Sequence, residues 1–328
     1  MKEFTNHSQI PISLAVWLCD DDYDHNDDPM AISATSLLKP MQALILARRN
    51  RDLTKVADVE SLIPSRMGTA LHTAIENTWN NPDKVTKILL ALGYSPTVVS
   101  KILINPEKEQ ILTDSVCIYM EQRRSKQVGK YSISGKFDFV IEGTLEDFKS
   151  TGTYGYISGS NTEKYRQQGS IYRWLNPDII TQDYMRIQFI FTDWSKMKAR
   201  TEAGYPQKRL LEQKIPLMSI AETEAFVTGI VNDVAWYESD EAIPLPLCSD
   251  EELWRSATVF KYYKDPAKKA RSTKNFDNAE DAQIRLHKDG SIGEVVIHPG
   301  QVKRCGYCDV IGICPQAKAL VESGALVL

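Results

Sequence analysis

Asp138, Asp147 and Lys149 are residues whose types and spacing suit metal-assisted hydrolysis. A short turn would bring the two carboxylates face to face on adjacent strands, and like charges in that position destabilise a hairpin. A bound divalent cation would offset the repulsion. Lys149 follows Asp147 by two residues, so its ammonium projects from the same strand face. Two carboxylates and an ammonium can hold a metal, activate a water and stabilise an anion. The alternative interpretation is a solvated strand face with a surface ion pair.

The hairpin that would align these residues is predicted from the alternation of apolar and polar residues on both sides of Glu142-Gly143. A glycine at the second position can adopt the positive φ that two-residue turns need. If Ile141 pairs with Thr144, the two aspartates lie directly opposite each other. The site therefore depends on this register.

The composition is that of a soluble globular protein. The chain has 328 residues, of which 42% are hydrophobic and 25% charged, enough for one large domain or for two with a small appendage. No apolar run reaches the length of a membrane span, and the N-terminus lacks the apolar core of a secretion signal. Six cysteines do not indicate a secreted disulfide scaffold, so a reducing cytoplasm is favoured. The net charge of −4 argues against a uniformly basic surface, although local basic clusters such as 261–274 can hold phosphates.

Changes in sequence character divide the chain into three predicted parts. They are an irregular acidic lead-in over residues 1–30, a core of helices and strands over 31–240, and a C-terminal module over 241–328. Apolar periodicity, capping residues and turn signals predict helices at 33–49, 65–79 (capped by Ser65), 84–110, 162–175 and from 219 (with a capping box at 219–222), strands at 111–122 and 184–194, and a hairpin around 288–290.

The C-terminal module contains three closely spaced cysteines, Cys305, Cys308 and Cys314, which are hard to explain by packing. A fourth thiolate would complete a tetrahedral metal site or a cluster site. Cys248 is the nearest remaining cysteine in the sequence and is the favoured fourth ligand. Cys19 is a weaker candidate.

Four motifs occur in the order found in the PD-(D/E)XK nuclease superfamily. They are a GxxxH helix, a strand aspartate, a (D/E)xK strand and a QxxxY helix, which correspond to positions 68–72, 138, 147–149 and 168–172. The chain most closely resembles the RecB-like exonuclease branch of that superfamily, which includes many phage recombination nucleases. Its opening segment SATSLLKP also resembles the first helix of that branch. Each motif is weak alone, whereas four in the correct order and spacing are much more specific.

The resemblance implies an α/β fold with a restriction-endonuclease-like core, in which helices flank a central mixed sheet, and a small C-terminal cysteine-cluster module. It also implies a catalytic Mg²⁺ or Mn²⁺, because hard cations prefer oxygen-rich sites. The metal ligands that the resemblance implies are His72, Asp138, Asp147 and the carbonyl oxygen of Phe148.

The remaining motif residues have catalytic or positioning roles in this resemblance. Lys149 would orient or help deprotonate the attacking water. Gln168 and Tyr172 would position the nucleic-acid backbone or the lysine. Glu76, one helical turn after the GxxxH histidine, would support the metal ligands from outside.

The activity that the resemblance implies is that of a metal-dependent DNA exonuclease in recombination or repair, in the cytoplasm of a bacterial or phage-infected cell. Its expected partners are linear duplex or single-stranded DNA ends and a single-strand annealing protein. The alternatives are a structure- or site-specific DNA endonuclease, and a non-catalytic nucleic-acid-binding protein on a nuclease fold. The complete Asp/Asp/Lys set argues against the last of these.

The C-terminal cysteine spacing resembles the iron–sulfur module of some RecB-like nucleases. The resemblance implies a 4Fe–4S cluster, and structural Zn²⁺ is the alternative because compact four-cysteine modules often bind zinc. The chain departs from the family at one point: the first family cysteine usually lies in the N-terminal helix, at about the position of Lys39 here. Cys248 is the expected replacement for that ligand.

Overall fold

The structure is a computed structural model that describes residues 2–20, 28–53 and 55–327. Most of the acidic run of the lead-in occupies 21–27 and lies outside the described residues. Among the helices that are described, none is both long and apolar enough to cross a membrane.

The described parts of the chain form short strands and helices. In chain order they are β1 (Lys2–Thr5), α1 (Ile12–Cys19), β2 (Ala31–Ser33), α2 (Ala34–Leu37), α3 (Met41–Arg49), β3 (Lys55–Asp58), α4 (Ile63–Trp79), α5 (Pro82–Ala91), α6 (Pro96–Val99), β4 (Ile102–Ile104), β5 (Val116–Met120), β6 (Arg123–Val128), β7 (Tyr131–Lys136), β8 (Phe139–Ile141), β9 (Thr144–Thr151), α7 (Thr153–Ser158), α8 (Thr162–Leu175), β10 (Tyr184–Phe191), α9 (Lys196–Thr201), β11 (Leu210–Pro216), α10 (Ile220–Ser239), β12 (Val259–Tyr263), β13 (Lys274–Phe276), α11 (Ala279–Lys288), β14 (Glu294–His298) and α12 (Pro315–Glu322).

The chain divides into two compact units. The first comprises Met1–Lys39 and Thr54–Trp236, and the second comprises Pro40–Leu53 and Tyr237–Leu328. The sequence placed 31–240 in one core, whereas the structure assigns α3 to the second unit. That assignment depends on contacts distant in sequence, which local patterns do not reveal.

A six-stranded mixed sheet forms the centre of the first unit, in the order β11-β10-β9-β8-β5-β4. β9 runs parallel to β10 and β4 runs parallel to β5, whereas the other neighbours are antiparallel. α4 packs against β9, and α8 packs against β7 and β11. Alternating apolar side chains fill the interior, and Leu145 and Ile187 on the central strands are fully buried. The fold is therefore mixed α/β with helices flanking a central mixed sheet, as predicted.

The hairpin of β8 and β9 has the predicted register. Ile141 pairs with Thr144, and the pairing continues to Phe139 and Glu146. The turn residues Glu142 and Gly143 have φ values of 47° and 76°, which are the positive values of a two-residue hairpin turn. The predicted pairing of Ile141 with Thr144 is therefore confirmed. The recorded pairs end at Phe139 and Glu146, and continuing the register by one residue would place Asp138 beside Asp147.

Two further predictions from the sequence are confirmed by helices of the first unit. α8 begins and ends at the predicted residues. The capping box at the start of α10 is present, because the Ser219 N–H donates to Glu222 Oε2 at 2.8 Å and the Glu222 N–H donates to Ser219 Oγ at 3.2 Å.

The prediction of helix over 84–110, with a break at Gly93 and Pro96, is confirmed at the break and wrong beyond α6. α5 and α6 are short, and residues Ile102–Ile104 form β4, which pairs with β5. The helix breaks because Gly93 has a φ of 91° and a proline follows three residues later. The helix expected over 33–49 is also interrupted, since Pro40 lacks an N–H group and separates α2 from α3.

Three other local predictions are corrected by the structure. The lead-in is not irregular throughout, because β1 pairs with β3 and α1 follows. Ser65 lies inside α4 and does not cap it. The turn at 288–290 is the end of α11 rather than a hairpin, and Gly290 has the positive φ that follows many helices.

The second unit contains a three-stranded antiparallel sheet, in the order β13-β12-β14, against which α11 packs. Tyr262 of β12 and Ala282 of α11 are fully buried. A separate apolar cluster in this unit is formed by Leu253, Val302, Cys305, Ala317 and Leu326.

Candidate functional site

His72 of α4 joins the two strands of the β8–β9 hairpin. Its Nδ1 lies 3.4 Å from Asp138 Oδ1, and its Nε2 lies 3.0 Å from the carbonyl oxygen of Phe148. The Phe148 N–H donates to Asp138 Oδ2 at 3.2 Å. The hydrogen bond to Asp138 raises the pKa of His72, although burial of the ring opposes the rise. The packing of α4 on β9 thus brings together three of the residues predicted to bind a metal.

Asp147 is a buried carboxylate beside the half-buried side chain of Lys149. Its residue is 2% exposed, and Lys149 Nζ lies 2.6 Å from its Oδ2. This contact is an ion pair outside hydrogen-bond geometry, so Oδ2 has no hydrogen-bond donor. Burial raises the pKa of Asp147, the charge of Lys149 opposes the rise and that of Asp138 adds to it, and the net result is a pKa of about 6. A carboxylate shifted by burial and by a specific like charge is typical of a functional site.

Glu121 is a site residue that the sequence analysis missed. One ligand atom from each of His72, Glu121 and Asp138 lies within 4.8 Å of the others. Met120 pairs with Phe139, so Glu121 stands opposite Asp138, and its N–H donates to the Asp138 carbonyl at 3.2 Å. The local sequence pattern does not reveal that β5 pairs with β8. Glu121 therefore looked like an ordinary strand residue in the sequence.

Two lysines partly neutralise this acidic site. Lys136 forms an ion pair with Glu121, as Lys149 does with Asp147. Burial raises the pKa of Glu121, and its contact with Lys136 opposes the rise. A cavity adjoins the acids, and it is lined by His72, Ile75, Glu76, Met120, Glu121, Asp138, Phe139 and Phe148.

The QxxxY residues lie on one face of α8. The Gln168 amide donates to the Tyr172 hydroxyl at 2.8 Å, which confirms that the two share a face. The Tyr172 ring packs beneath β7, where a Cβ at Gly135 would lie 2.9 Å from it. Tyr165, three residues before Gln168, has its ring centre 5.8 Å from Lys149 Nζ. α8 therefore reaches the lysine through Tyr165, a residue that the sequence analysis did not single out.

Replacing Asp147 with Asn should stabilise the protein in the absence of divalent cations at pH 8. The pKa of Asp147 is 3.8 in the unfolded chain and about 6 in the folded chain, mainly because of burial. Between pH 3.8 and pH 6 the folded chain therefore binds more protons than the unfolded chain, and its free energy of unfolding falls as the pH rises. This pKa difference corresponds to about 3 kcal/mol of stability at pH 8, and the pKa of about 6 already includes the favourable charge of Lys149. Urea unfolding at pH 5 and pH 8 measures the effect, and we expect a gain of about 1–3 kcal/mol at pH 8 and a smaller gain at pH 5.

The matched control for this prediction is Glu146→Gln. Glu146 is the preceding residue on β9, and it lies 3.2 Å from Arg186 in a half-buried ion pair. Its replacement should give no gain that appears between pH 5 and pH 8. An equal gain in both variants would contradict the role of burial at Asp147.

Four cysteines of the second unit line one cavity. Cys248, Cys305, Cys308 and Cys314 surround it together with Gln42 of α3. Gln42 is 4% exposed, and its Oε1 lies 3.5 Å from Cys248 Sγ and 3.7 Å from Cys314 Sγ. The structure therefore brings Cys248 to the other three cysteines, whereas Cys19 ends α1 in the first unit.

Local hydrogen bonds fix the positions of these cysteines. The side-chain amide of Gln316 accepts from the Cys248 N–H at 2.8 Å and donates to the Cys248 carbonyl at 2.9 Å. Cys314 caps α12, because its sulfur accepts from the Ala317 N–H at 3.5 Å. A 3₁₀ turn over Arg304–Tyr307 carries Cys305.

The electrostatics of the cavity suit a bound cation. Burial, the negative charge of Glu252 and the other three cysteines together raise the pKa of Cys248 to about 11, and burial has the largest effect. Burial also raises the pKa of Cys305. Four thiolates could coexist here only with compensating positive charge, and thiolates are the ligands of zinc and of iron–sulfur clusters.

Comparison with known proteins adds little to this geometry. No family model matches the chain, and no curated protein matches it significantly. Among solved structures, the crystal structure of SSO0001 is similar over 71% of this chain and 90% of that chain, with a TM-score of 0.41 and 15% sequence identity. A similarity this distant supports no functional assignment.

Proposed function

We propose that the chain is a metal-dependent DNA nuclease with a restriction-endonuclease-like core of the RecB-like type. The observation that carries the proposal is the contact network of His72, Asp138 and the β9 residues Asp147 to Lys149. His72 and Phe148 are 76 residues apart in the sequence and are hydrogen-bonded, so separate motifs converge on one site. A solvated strand face would leave Asp147 in water, whereas its side chain is 3% exposed.

The side chains at this site fit a hard divalent cation. Two carboxylates and an imidazole converge within 4.8 Å, and the buried Asp147 Oδ2 has no hydrogen-bond donor. The residues that would hold Mg²⁺ or Mn²⁺ are His72, Asp138, Asp147 and the Phe148 carbonyl, with Glu121 as an additional ligand. Such a cation, when bound, lowers the pKa of water and offsets charge on the phosphate.

Lys149 supplies positive charge to the reaction. Burial lowers the pKa of Lys149, but the charges of Asp147 and Asp138 raise it on balance, so the amine stays protonated. An ammonium orients the attacking water and stabilises charge that develops on the phosphate oxygens, rather than abstracting a proton. The ring of Tyr165 limits the positions open to Lys149. Gln168, on the same face of α8, would hold the nucleic-acid backbone.

The proposed reaction is exonucleolytic hydrolysis of DNA, and digestion of labelled DNA tests it. Linear duplexes labelled at the 5′ or 3′ end and closed circular DNA are incubated with Mg²⁺, with Mn²⁺ or with EDTA. We expect short labelled products from linear DNA, an intact circle, and no products in EDTA. Cleavage of the circle would indicate an endonuclease instead. Absence of cleavage under every condition, with DNA still bound, would favour a non-catalytic DNA-binding protein.

We propose that the cysteine cavity holds a 4Fe–4S cluster, with structural Zn²⁺ as the alternative. The four cysteines line one cavity, and thiolates are the ligands that both groups use. Cys248, Cys305, Cys308 and Cys314 would hold the cluster, and Gln42 would contact its ligands. Its role is structural, because the sulfur ligands come from segments far apart in the sequence.

A further inference from the structure

Two aromatic rings and a guanidinium form an exposed group beside the cysteine-bearing turn of the second unit. Trp254 and Tyr307 are 49% and 76% exposed, and their ring centres lie 6.2 Å apart. The Arg304 guanidinium lies 5.4 Å from the centre of the Trp254 ring. Large aromatic side chains are usually buried, so a contiguous exposed pair with a cation beside it is a candidate binding surface.

The backbone holds this group in a fixed arrangement. Trp254 has a φ of 51°, which is an outlier for a bulky side chain and persists only where neighbouring contacts enforce it. The carbonyl of Leu253 accepts from the N–H groups of Lys303 and Arg304 at 3.2 and 3.1 Å. These bonds tie the segment that carries Trp254 to the turn that carries Tyr307, so the rings are positioned before any ligand arrives.

We propose that Trp254, Tyr307 and Arg304 form a binding site for unpaired bases of single-stranded nucleic acid. Every base has a flat π-face, and proteins bind single strands by stacking such faces on exposed aromatic rings beside positive charge. Arginine can neutralise a phosphate and can also stack on a base. The site needs no base-specific hydrogen bonds, so it would accept any sequence.

The charge of the neighbouring chain segment is complementary to this ligand. Residues 255–274 contain seven lysines and arginines and a single acidic residue. Arg255, Lys268 and Lys269 form ion pairs with carboxylates, and the other four cations are Lys261, Lys264, Arg271 and Lys274. The loop between β12 and β13 is exposed and carries Lys264, Lys268, Lys269 and Arg271. Such a segment attracts the phosphate backbone without sequence preference. An apolar protein partner would not need this cationic loop, so a nucleic acid is the better fit.

The proposal rests on the proposed function only in taking a nucleic acid as the ligand, and its test requires no cleavage. The probe is a fluorescent oligothymidylate, and a fully abasic oligonucleotide of the same length serves for comparison. Fluorescence anisotropy measures the binding of each probe to the full-length protein, as purified, without divalent cations.

The variants are Trp254→Gly, which suits the positive φ and removes the ring, and Tyr307→Leu. Trp236→Leu and Tyr94→Leu are the controls, because Trp236 and Tyr94 are exposed aromatic residues of the first unit, at 62% and 53%.

We expect Trp254→Gly and Tyr307→Leu each to bind oligothymidylate about 5- to 100-fold more weakly than the wild type. Their affinity for the abasic strand should change less than about 2-fold, because that strand has no bases to stack. The control variants should match the wild type on both probes. Equal losses of affinity for both probes would overturn the proposal that bases stack on the rings. Wild-type affinity in both Trp254→Gly and Tyr307→Leu would overturn the proposed site. Failure of DNA cleavage in an otherwise normal binding series would affect the nuclease assignment alone.

Discussion

The Lys149→Ala variant should lose metal-dependent DNA cleavage by about 10²- to 10⁴-fold. Its ammonium lies 2.6 Å from Asp147 Oδ2, within the proposed metal site. Removal takes away the group that orients water and offsets developing charge. It also leaves Asp147 buried without its ion-pair partner, which favours the protonated carboxylic acid. Single-turnover digestion of end-labelled linear DNA measures the loss.

The matched control is Lys126→Ala, which removes a lysine from an ion pair elsewhere in the first unit. Lys126 Nζ lies 2.6 Å from Glu224 Oε2, and both side chains are largely exposed. Exposed pairs contribute little to stability, so cleavage should change less than about 2-fold. Both variants should remain folded, as thermal unfolding will show, and both should bind DNA near the wild-type level without divalent cations. Cleavage by Lys149→Ala at the wild-type rate would refute the proposed role of the lysine.

The residues of the site differ in how far the sequence could predict them. Asp138 and Asp147 were placed opposite each other because a two-residue turn fixes the register of a hairpin, and both strands lie within one short stretch. Glu121 was missed because its position depends on β5 pairing with β8 through contacts outside that stretch. Tyr165 was missed because it lies outside the QxxxY motif at 168–172. Its contact with Lys149 depends on how α8 packs, which the spacing of a motif does not reveal.

The second unit illustrates the same limit at larger scale. The three C-terminal cysteines could be grouped from spacing alone, and Cys248 was favoured as nearest in the sequence. The position of Gln42 among these sulfurs could not be predicted, since 206 residues separate it from Cys248. Pro40 was part of a predicted continuous helix, and the break there begins the segment that belongs to the second unit. Local patterns therefore identified the chemical groups more reliably than the assembly that brings them together.

The Cys248→Ser variant should lose most of its iron and become markedly less stable. The change removes one of four sulfur ligands, and its backbone position, held by Gln316, is otherwise kept. Loss of a structural metal is among the few single changes that cost more than about 4 kcal/mol. Wild-type protein purified anaerobically should be brown with broad visible absorption, and the variant should be nearly colourless. Iron analysis, visible spectra and thermal unfolding measure the three effects.

Cys19→Ser and Cys117→Ser are the matched controls, because both cysteines lie in the first unit, at the end of α1 and in β5. Their iron content and visible absorption should equal those of the wild type. Loss of the cluster in Cys19→Ser with retention in Cys248→Ser would transfer the fourth ligand to Cys19. Colourless wild-type protein with stoichiometric zinc would replace the cluster with a zinc site, and Cys248→Ser should then lose zinc instead of iron. Because burial raises the pKa of Cys248 and of Cys305, the metal must displace the protons of these thiols when it binds.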